Sequence, residues 1–182
     1  AAGHQVTVVD NLYSGHRWAV PPTADFHQLD AGDETAISSL LRQQQTDAVI
    51  HFAGYIVVPE SIAEPAKYYR NNVVASLNLI RACCASGVGY FIFSSSAAVY
   101  GDPEQVPVAE HHPTIPINPY GRTKLITEWT LRDMALGGRQ GSAGLKYVAL
   151  RYFNVAGASL DGTLGQATPE ATHLIKVACE TA

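Results

Sequence analysis

Short continuous apolar runs alternate along this chain with longer stretches in which apolar residues recur at helical spacing. Val6-Thr-Val-Val9 is a β-branched run that ends in Asp10, and Phe26 to Leu29 is a second strand candidate, ending at Asp30. Glu34 to Gln44 carries apolar residues at 36, 37, 40 and 41, the stripe of an amphipathic helix, and Ala48-Val-Ile-His51 returns to the buried-strand pattern. The spacing predicts a long helix over Glu64 to Ser86, stopped by Gly87, then a strand over Tyr90 to Ser94. Prolines mark a loop from Asp102 to Pro119; a helix from Tyr120 to about Leu136, a glycine-rich break, a strand over Lys146 to Tyr152 and a helix over Pro169 to Ala182 complete the pattern.

Strands of this kind, each followed by a helix, predict an α/β fold: a doubly wound, Rossmann-like parallel sheet covered on both faces. In such sheets ligands sit beyond the carboxyl ends of the strands. Asp10, Asp30, His51 to Gly54, Ser94 to Ser96 and Tyr152 to Asn154 all fall at those ends. A dinucleotide-binding sheet opens with a strand, a Gly-rich turn and a helix, and the ribose-binding acid follows about 20 residues after the glycines. Here the candidate acid is already residue 10, so the first strand and its turn are expected upstream of Ala1 and the chain is read as truncated at both ends. Residues 1–155 are expected to form the dinucleotide-binding domain and 156–182 the beginning of a sugar-nucleotide-binding region.

The chemistry is concentrated in Tyr120-Gly-Arg-Thr-Lys124 and in the serines that close the preceding strand. A tyrosine and a lysine four apart on a helix share one face, so the ammonium is within reach of the phenol. Free tyrosine titrates near ~10, and a nearby positive charge favours the phenolate. Asn118-Pro119 reads as a cap with proline in the first turn, which sets Tyr120 at the positive end of its helix. Both effects are expected to lower the tyrosine pKa and make Tyr120 a base. His51 is expected to pack and hydrogen-bond within the sheet.

Composition narrows the reading further. With 47% hydrophobic and 15% charged residues the chain is an ordinary globule, and a net charge of -4 offers no basic field for a nucleic acid. No apolar run approaches the roughly 20 residues of a membrane span and no signal segment opens the chain, so a cytoplasmic protein with no membrane partner is expected. Cys83, Cys84 and Cys179 have no metal-binding or redox spacing, and His111-His112 lies in a proline-rich loop without a ligand frame, so no metal is expected.

Six segments in order carry a family resemblance: Asp10-Asn-Leu, His51-Phe-Ala-Gly54, Tyr69-Arg-Asn-Asn72, Phe93-Ser-Ser-Ser-Ala-Ala-Val-Tyr-Gly101, Pro119-Tyr-Gly-Arg-Thr-Lys124 and Leu150-Arg-Tyr-Phe-Asn154. On them the chain resembles the extended short-chain dehydrogenase/reductases, and among these the UDP-glucose 4-epimerases. The resemblance implies a bound NAD and an isomerase that interconverts UDP-glucose and UDP-galactose in galactose metabolism through transient oxidation at C4. Tyr120 would be the base, Lys124 would support it and bind the nicotinamide ribose, and Ser96 would hydrogen-bond the reacting oxygen. Asp10 would accept the adenosine ribose hydroxyls, with Asn11, Leu12, Tyr13, Ser14 and Gly15 closing over the adenosine and Asp30 and Ala31 lining the adenine. Phe52, Ala53, Gly54, Asn71, Ser94 and Phe153 would complete the cofactor set. Ser96, Tyr120, Asn154 and His173 would meet the UDP-sugar, and a homodimer is implied.

The chain departs from that pattern at two positions. Ile56 stands where some epimerases have a lysine, and His173 where many have an asparagine. A 4,6-dehydratase on the same scaffold resembles this chain less, because its acidic pair is replaced by Ala97 and Ala98. Another sugar-nucleotide epimerase or dehydratase on the same scaffold and a non-catalytic dinucleotide-binding relative remain the alternatives.

Overall fold

The computed structural model describes residues 3–137, 144–167 and 174–182. The chain divides into two compact units, Ala1–Asp30 with Asn154–Ala182, and Ala31–Phe153. In the first unit β1 (Thr7–Val9) pairs in parallel with β2 (Asp25–His27), Val8 standing opposite Phe26. The same unit holds the C-terminal helix, Leu174–Thr181.

The second unit is built on three parallel strands in the order β3 (Ala48–His51), β4 (Tyr90–Ser96), β5 (Lys146–Tyr152). Its first helix, α1 (Glu34–Gln43), starts where Asp33 accepts the Ala36 amide at 3.0 Å, and its stripe Ile37, Leu40 and Leu41 is buried. After β3 come α2 (Val58–Ala63) and α3 (Pro65–Tyr68), then a π-helical turn over Tyr69–Val74 that leads into α4 (Ala75–Ser86). Gly87 ends α4 in the left-handed region at φ 77°, a conformation that costs glycine no Cβ clash. Helix α5 (Pro119–Leu136) begins as its sequence predicts, with Asn118 Oδ1 accepting the Gly121 amide at 2.8 Å.

Alternation along β4 decides what each face does. Phe91, Phe93 and Ser95 point into the helical layer and are almost fully buried, with His51 against both phenylalanines. Helix α4 meets this face through Ser76 and α5 through Glu128, and α1 packs on α4. Ile50, Ile92 and Val148 stand in register on the opposite face, where Ile50 and Val148 are exposed. The architecture is Rossmann-like, with every strand pair parallel. No helix among the described residues is long and apolar enough to cross a membrane.

Candidate functional site

The serine-rich end of β4 continues as strand through Ser96 because it pairs residue by residue with β5, Ser94 with Leu150, Ser95 with Arg151 and Ser96 with Tyr152. A 3-10 turn, Ala97–Tyr100, follows. Ser96 caps that turn by accepting the Ala98 amide at 3.2 Å, which leaves its own O–H to donate. The start of α5 lies directly beside the turn. A side chain at Gly121 would put its Cβ 2.6 Å from the Ala98 carbonyl oxygen, so glycine is what lets helix and turn approach.

This approach brings Tyr120, Lys124 and Ser96 together. Ser96 hydrogen-bonds the Tyr120 phenol in the sense that favours the phenolate. Lys124 is buried, donates to the Ser94 carbonyl at 2.9 Å, and stands 5.1 Å from the Phe93 ring centroid and 5.8 Å from that of Tyr120. Burial among these groups lowers its pKa to about 8. For Tyr120 the outcome corrects the expectation from sequence: burial raises the pKa, and only the bond from Ser96 opposes it. The loss of water at the buried phenol outweighs what favours its ionised form.

Two buried side chains, Asn72 and Ser61, hold the site in place without having been singled out for it by the sequence. Asn72 accepts the Tyr55 amide at 2.8 Å and donates to the Tyr55 carbonyl at 2.9 Å and to Thr123 Oγ1 at 3.3 Å, so it ties the loop after β3 to α5. Gly54 in that loop has φ 153°, and a Cβ there would lie 3.2 Å from Asn72 Oδ1 and 3.6 Å from Lys124 Nζ. Ser61 of α2 accepts the Tyr120 amide at 3.2 Å. His51 lies behind the site, 2.8 Å from Ser76 Oγ. Because the Ser76 proton goes to the Asn72 carbonyl at 2.6 Å, His51 must donate from Nε2, which fixes the neutral tautomer. Burial first, and Lys124 second, lower its pKa to about 3. His51 is therefore a neutral packing group, as expected.

The other predicted positions are distributed as follows. In the first unit the Asp10 carboxylate accepts the Leu12 amide at 2.6 Å, and Leu12 takes φ 61° as the chain folds back. Gly15 faces that carboxylate so closely that a Cβ would sit 2.5 Å from Asp10 Oδ2. Asn11 accepts the Tyr13 amide and donates to Asp30 at 3.3 Å, while Tyr13 and Ser14 are exposed. In the second unit Ala31 is half-buried, Phe52 and Ala53 are exposed, and Asn71 donates to Asn72 at 3.2 Å. Phe153 is exposed and lines a cavity of about 610 Å³ with Tyr100, Glu128, Trp129, Tyr147 and Arg151. Asn154, in the first unit, is exposed. His173 lies outside the described residues.

Comparison with known proteins supplies an independent line. The model of the NAD dependent epimerase/dehydratase family matches residues 1–180. The chain is 51% identical over 179 residues to a UDP-glucose 4-epimerase of Azospirillum brasilense, covering 98% of this chain and 50% of that protein. It superimposes with a TM-score of 0.91 and 46% identity on the crystal structure of UDP-glucose 4-epimerase from Brucella ovis in complex with NAD, covering 97% of this chain and 52% of that one. The UDP-Glc/GlcNAc 4-epimerase from Campylobacter jejuni gives a TM-score of 0.81 at 45% identity, over 98% of this chain and 54% of that one. The chain thus spans about half the length of the relatives it matches.

Proposed function

From the premise that this chain belongs to the NAD dependent epimerase/dehydratase family, we propose that the full-length protein interconverts UDP-glucose and UDP-galactose by transient oxidation at C4 of the sugar. The observation that carries this reading is the Tyr120, Lys124 and Ser96 constellation at the carboxyl end of β4. It sits where ligands bind in parallel sheets and pairs a proton acceptor with a hydroxyl donor.

The residues present fit NAD. The Asp10 carboxylate, kept clear by Gly15, suits the two hydroxyls of an adenosine ribose and repels a 2'-phosphate, favouring NAD over NADP. Asn11, Leu12, Tyr13, Ser14, Asp30 and Ala31 would enclose the adenosine. Phe52, Ala53, Gly54, Asn71, Ser94, Lys124 and Phe153 would serve the phosphates, the nicotinamide and its ribose. When bound, NAD supplies the hydride acceptor and donor at C4. The remaining chemistry belongs to the chain. Tyr120 takes the proton of the 4-hydroxyl as the alcohol becomes a ketone and returns it after the sugar has turned over. With substrate bound, the single Ser96 proton would turn from the phenol to the same oxygen, where negative charge develops, and Lys124 would hold the phenolate form. Asn154 and His173 would hold the nucleotide-sugar.

The wider reading assigns residues 1–155 to the dinucleotide-binding domain and 156–182 to the sugar-nucleotide region, in a cytoplasmic homodimer. Ala97 and Ala98 follow Ser96 directly, so these two positions supply no acid to expel water from C5 and C6, which favours epimerisation over elimination. The test is incubation of the full-length protein with UDP-galactose and, separately, UDP-N-acetylgalactosamine, with products identified by NMR. UDP-glucose from the first supports the proposal. Turnover of the second alone would assign an N-acetylated substrate, the class that the name of the UDP-Glc/GlcNAc 4-epimerase from Campylobacter jejuni includes. No turnover of either would refute it.

A further inference from the structure

Beyond Tyr120 and Lys124, the stripe of α5 that faces β4 continues to a third titratable residue. Tyr120, Lys124 and Glu128 follow at intervals of four, and each engages one of the three serines that close β4: Tyr120 through the Ser96 hydroxyl, Lys124 through the Ser94 carbonyl, Glu128 through the Ser95 hydroxyl. The Glu128 carboxylate is nearly buried, and both of its oxygens are engaged. Arg151 grips it with both arms, Nε to Oε1 at 3.0 Å and Nη2 to Oε2 at 2.7 Å. Arg151 stands opposite Ser95 in the ladder, so one ion pair fastens α5, β4 and β5 at a single level. Its remaining nitrogen, Nη1, donates to the Tyr100 hydroxyl at 2.8 Å and to the Glu110 carbonyl at 3.2 Å, gripping the turn that Ser96 begins.

We propose that Glu128, clamped by Arg151, is a positioning residue for Tyr120: it bolts α5 to the outgoing end of β4 and thereby sets the phenol against the Ser96 hydroxyl. This rests on the catalytic reading above and deepens it. A buried ion pair is weak evidence for stability, because desolvation cancels much of its attraction, and its best-attested use is to fix register. Among the three rungs only Glu128 is short and held by several donors, whereas Lys124 reaches Ser94 on a flexible four-carbon stem that follows the helix if it slides. With the bolt gone, the contacts of Ser61 and Asn72 at the helix start remain but α5 loses its rigid tie to the outgoing end of β4, and a misplacement of about 1 Å costs on the order of 10²-fold in rate.

Electrostatics gives a sign that separates positioning from direct charge effects. Taking away a carboxylate lowers a neighbouring phenol's pKa, since one negative charge fewer opposes the phenolate; losing the Ser96 hydrogen bond raises it. Among the described residues the groups that face the phenol are Lys124 on its own helix, Ser96 on β4 and Tyr68 on α3, and changing Glu128 substitutes none of them. The experiment compares full-length wild type with Glu128→Gln, Arg151→Lys and Ser95→Ala. It reads kcat and KM for UDP-galactose, and the Tyr120 titration as an ultraviolet difference against a Tyr120→Phe partner in each background.

Glu128→Gln is expected to lower kcat by about 10- to 100-fold with KM unchanged within about twofold, and to move the phenol titration to higher pH. Arg151→Lys and Ser95→Ala should follow in the same direction with smaller losses, and Ser95→Ala decides the matter if Glu128→Gln does not fold. A folded variant with wild-type kcat and an unmoved or lowered phenol titration overturns the proposal. The titration does not depend on which sugar is turned over. A protein that leaves UDP-galactose untouched yet shows the upward shift would therefore refute the substrate and support the positioning role.

Discussion

Taking the full-length protein from pH 7.5 to pH 5 asks His51 to accept a proton in a place that cannot hold the charge. The imidazole is enclosed by Phe91, Phe93 and Ser76, with the Lys124 ammonium near, and its pKa falls from 6.5 to about 3. In the unfolded chain the same histidine titrates at its ordinary value. Between these limits the unfolded state binds more protons than the folded one, so stability falls as the pH drops below 6.5 and is retained in full above it. At pH 5 the difference amounts to about 2 kcal/mol from this one side chain, and nearly nothing at pH 7.5. Glutamine can replace the Nε2–H donor to Ser76 without titrating. Urea unfolding of wild type and His51→Gln at the two pH values isolates the term, because every other titrating group is common to both. Wild type should lose about 2 kcal/mol more than the variant on acidification. Parallel losses would show that His51 is protonated without penalty and would refute the buried neutral assignment.

Two further outcomes test the site from other sides. Tyr120→Phe should lower kcat by about 10²- to 10⁴-fold while the purified protein keeps its NAD, measured by the cofactor released on denaturation, because only the proton acceptor is removed. Gly121→Ala should lower both the melting temperature and kcat, since its Cβ would meet the Ala98 carbonyl at 2.6 Å and push the helix start from the turn that Ser96 caps; wild-type values for both would show that the close approach is not required.

The features legible in the sequence are those that depend on local pattern. Strand β5 has the bounds that its apolar run predicts, and the Asn118 cap forms because its side-chain oxygen reaches an amide three residues on. Strand β4 runs two residues past its predicted end, into serines whose low strand propensity is overridden by pairing with Leu150 to Tyr152. The helix predicted over Glu64 to Ser86 is interrupted by the π turn at Tyr69–Val74. That insertion shifts the helical periodicity, and it is Asn72 that turns inward to hold the Gly54 loop, beside the Asn71 that motif matching selects. Helix α2 has no counterpart in the sequence reading. Its Val58-Pro59 start is compatible with a first turn, but only the buried Ser61, reached by the Tyr120 amide, shows why the helix is there. Glu128 carried a signal in its spacing from Tyr120 and Lys124; its partner Arg151 is brought to it by strand register, which spacing along one helix cannot report.

Burial reverses the order in which the central pair titrates, and this bears on what the base is. Lys124 loses its proton at about 8, whereas the Tyr120 phenol is raised above its ordinary 10.0. On raising the pH the pair therefore sheds its first proton near 8, and the singly deprotonated pair has two forms: phenol with neutral amine, or phenolate with ammonium. The first form predominates, and Ser96, which donates to the phenolate, raises the share of the second, which is the form able to accept the sugar proton. The ascending limb of the pH profile of kcat/KM then belongs to the pair, near pH 8, and not to tyrosine alone. Lys124→Met removes the first proton donor and leaves an isolated buried phenol, so the limb should move beyond pH 10 and the rate at neutral pH should fall with it. A variant whose limb stayed at the wild-type position would show that Tyr120 titrates independently of Lys124, and the shared proton would have to be given up.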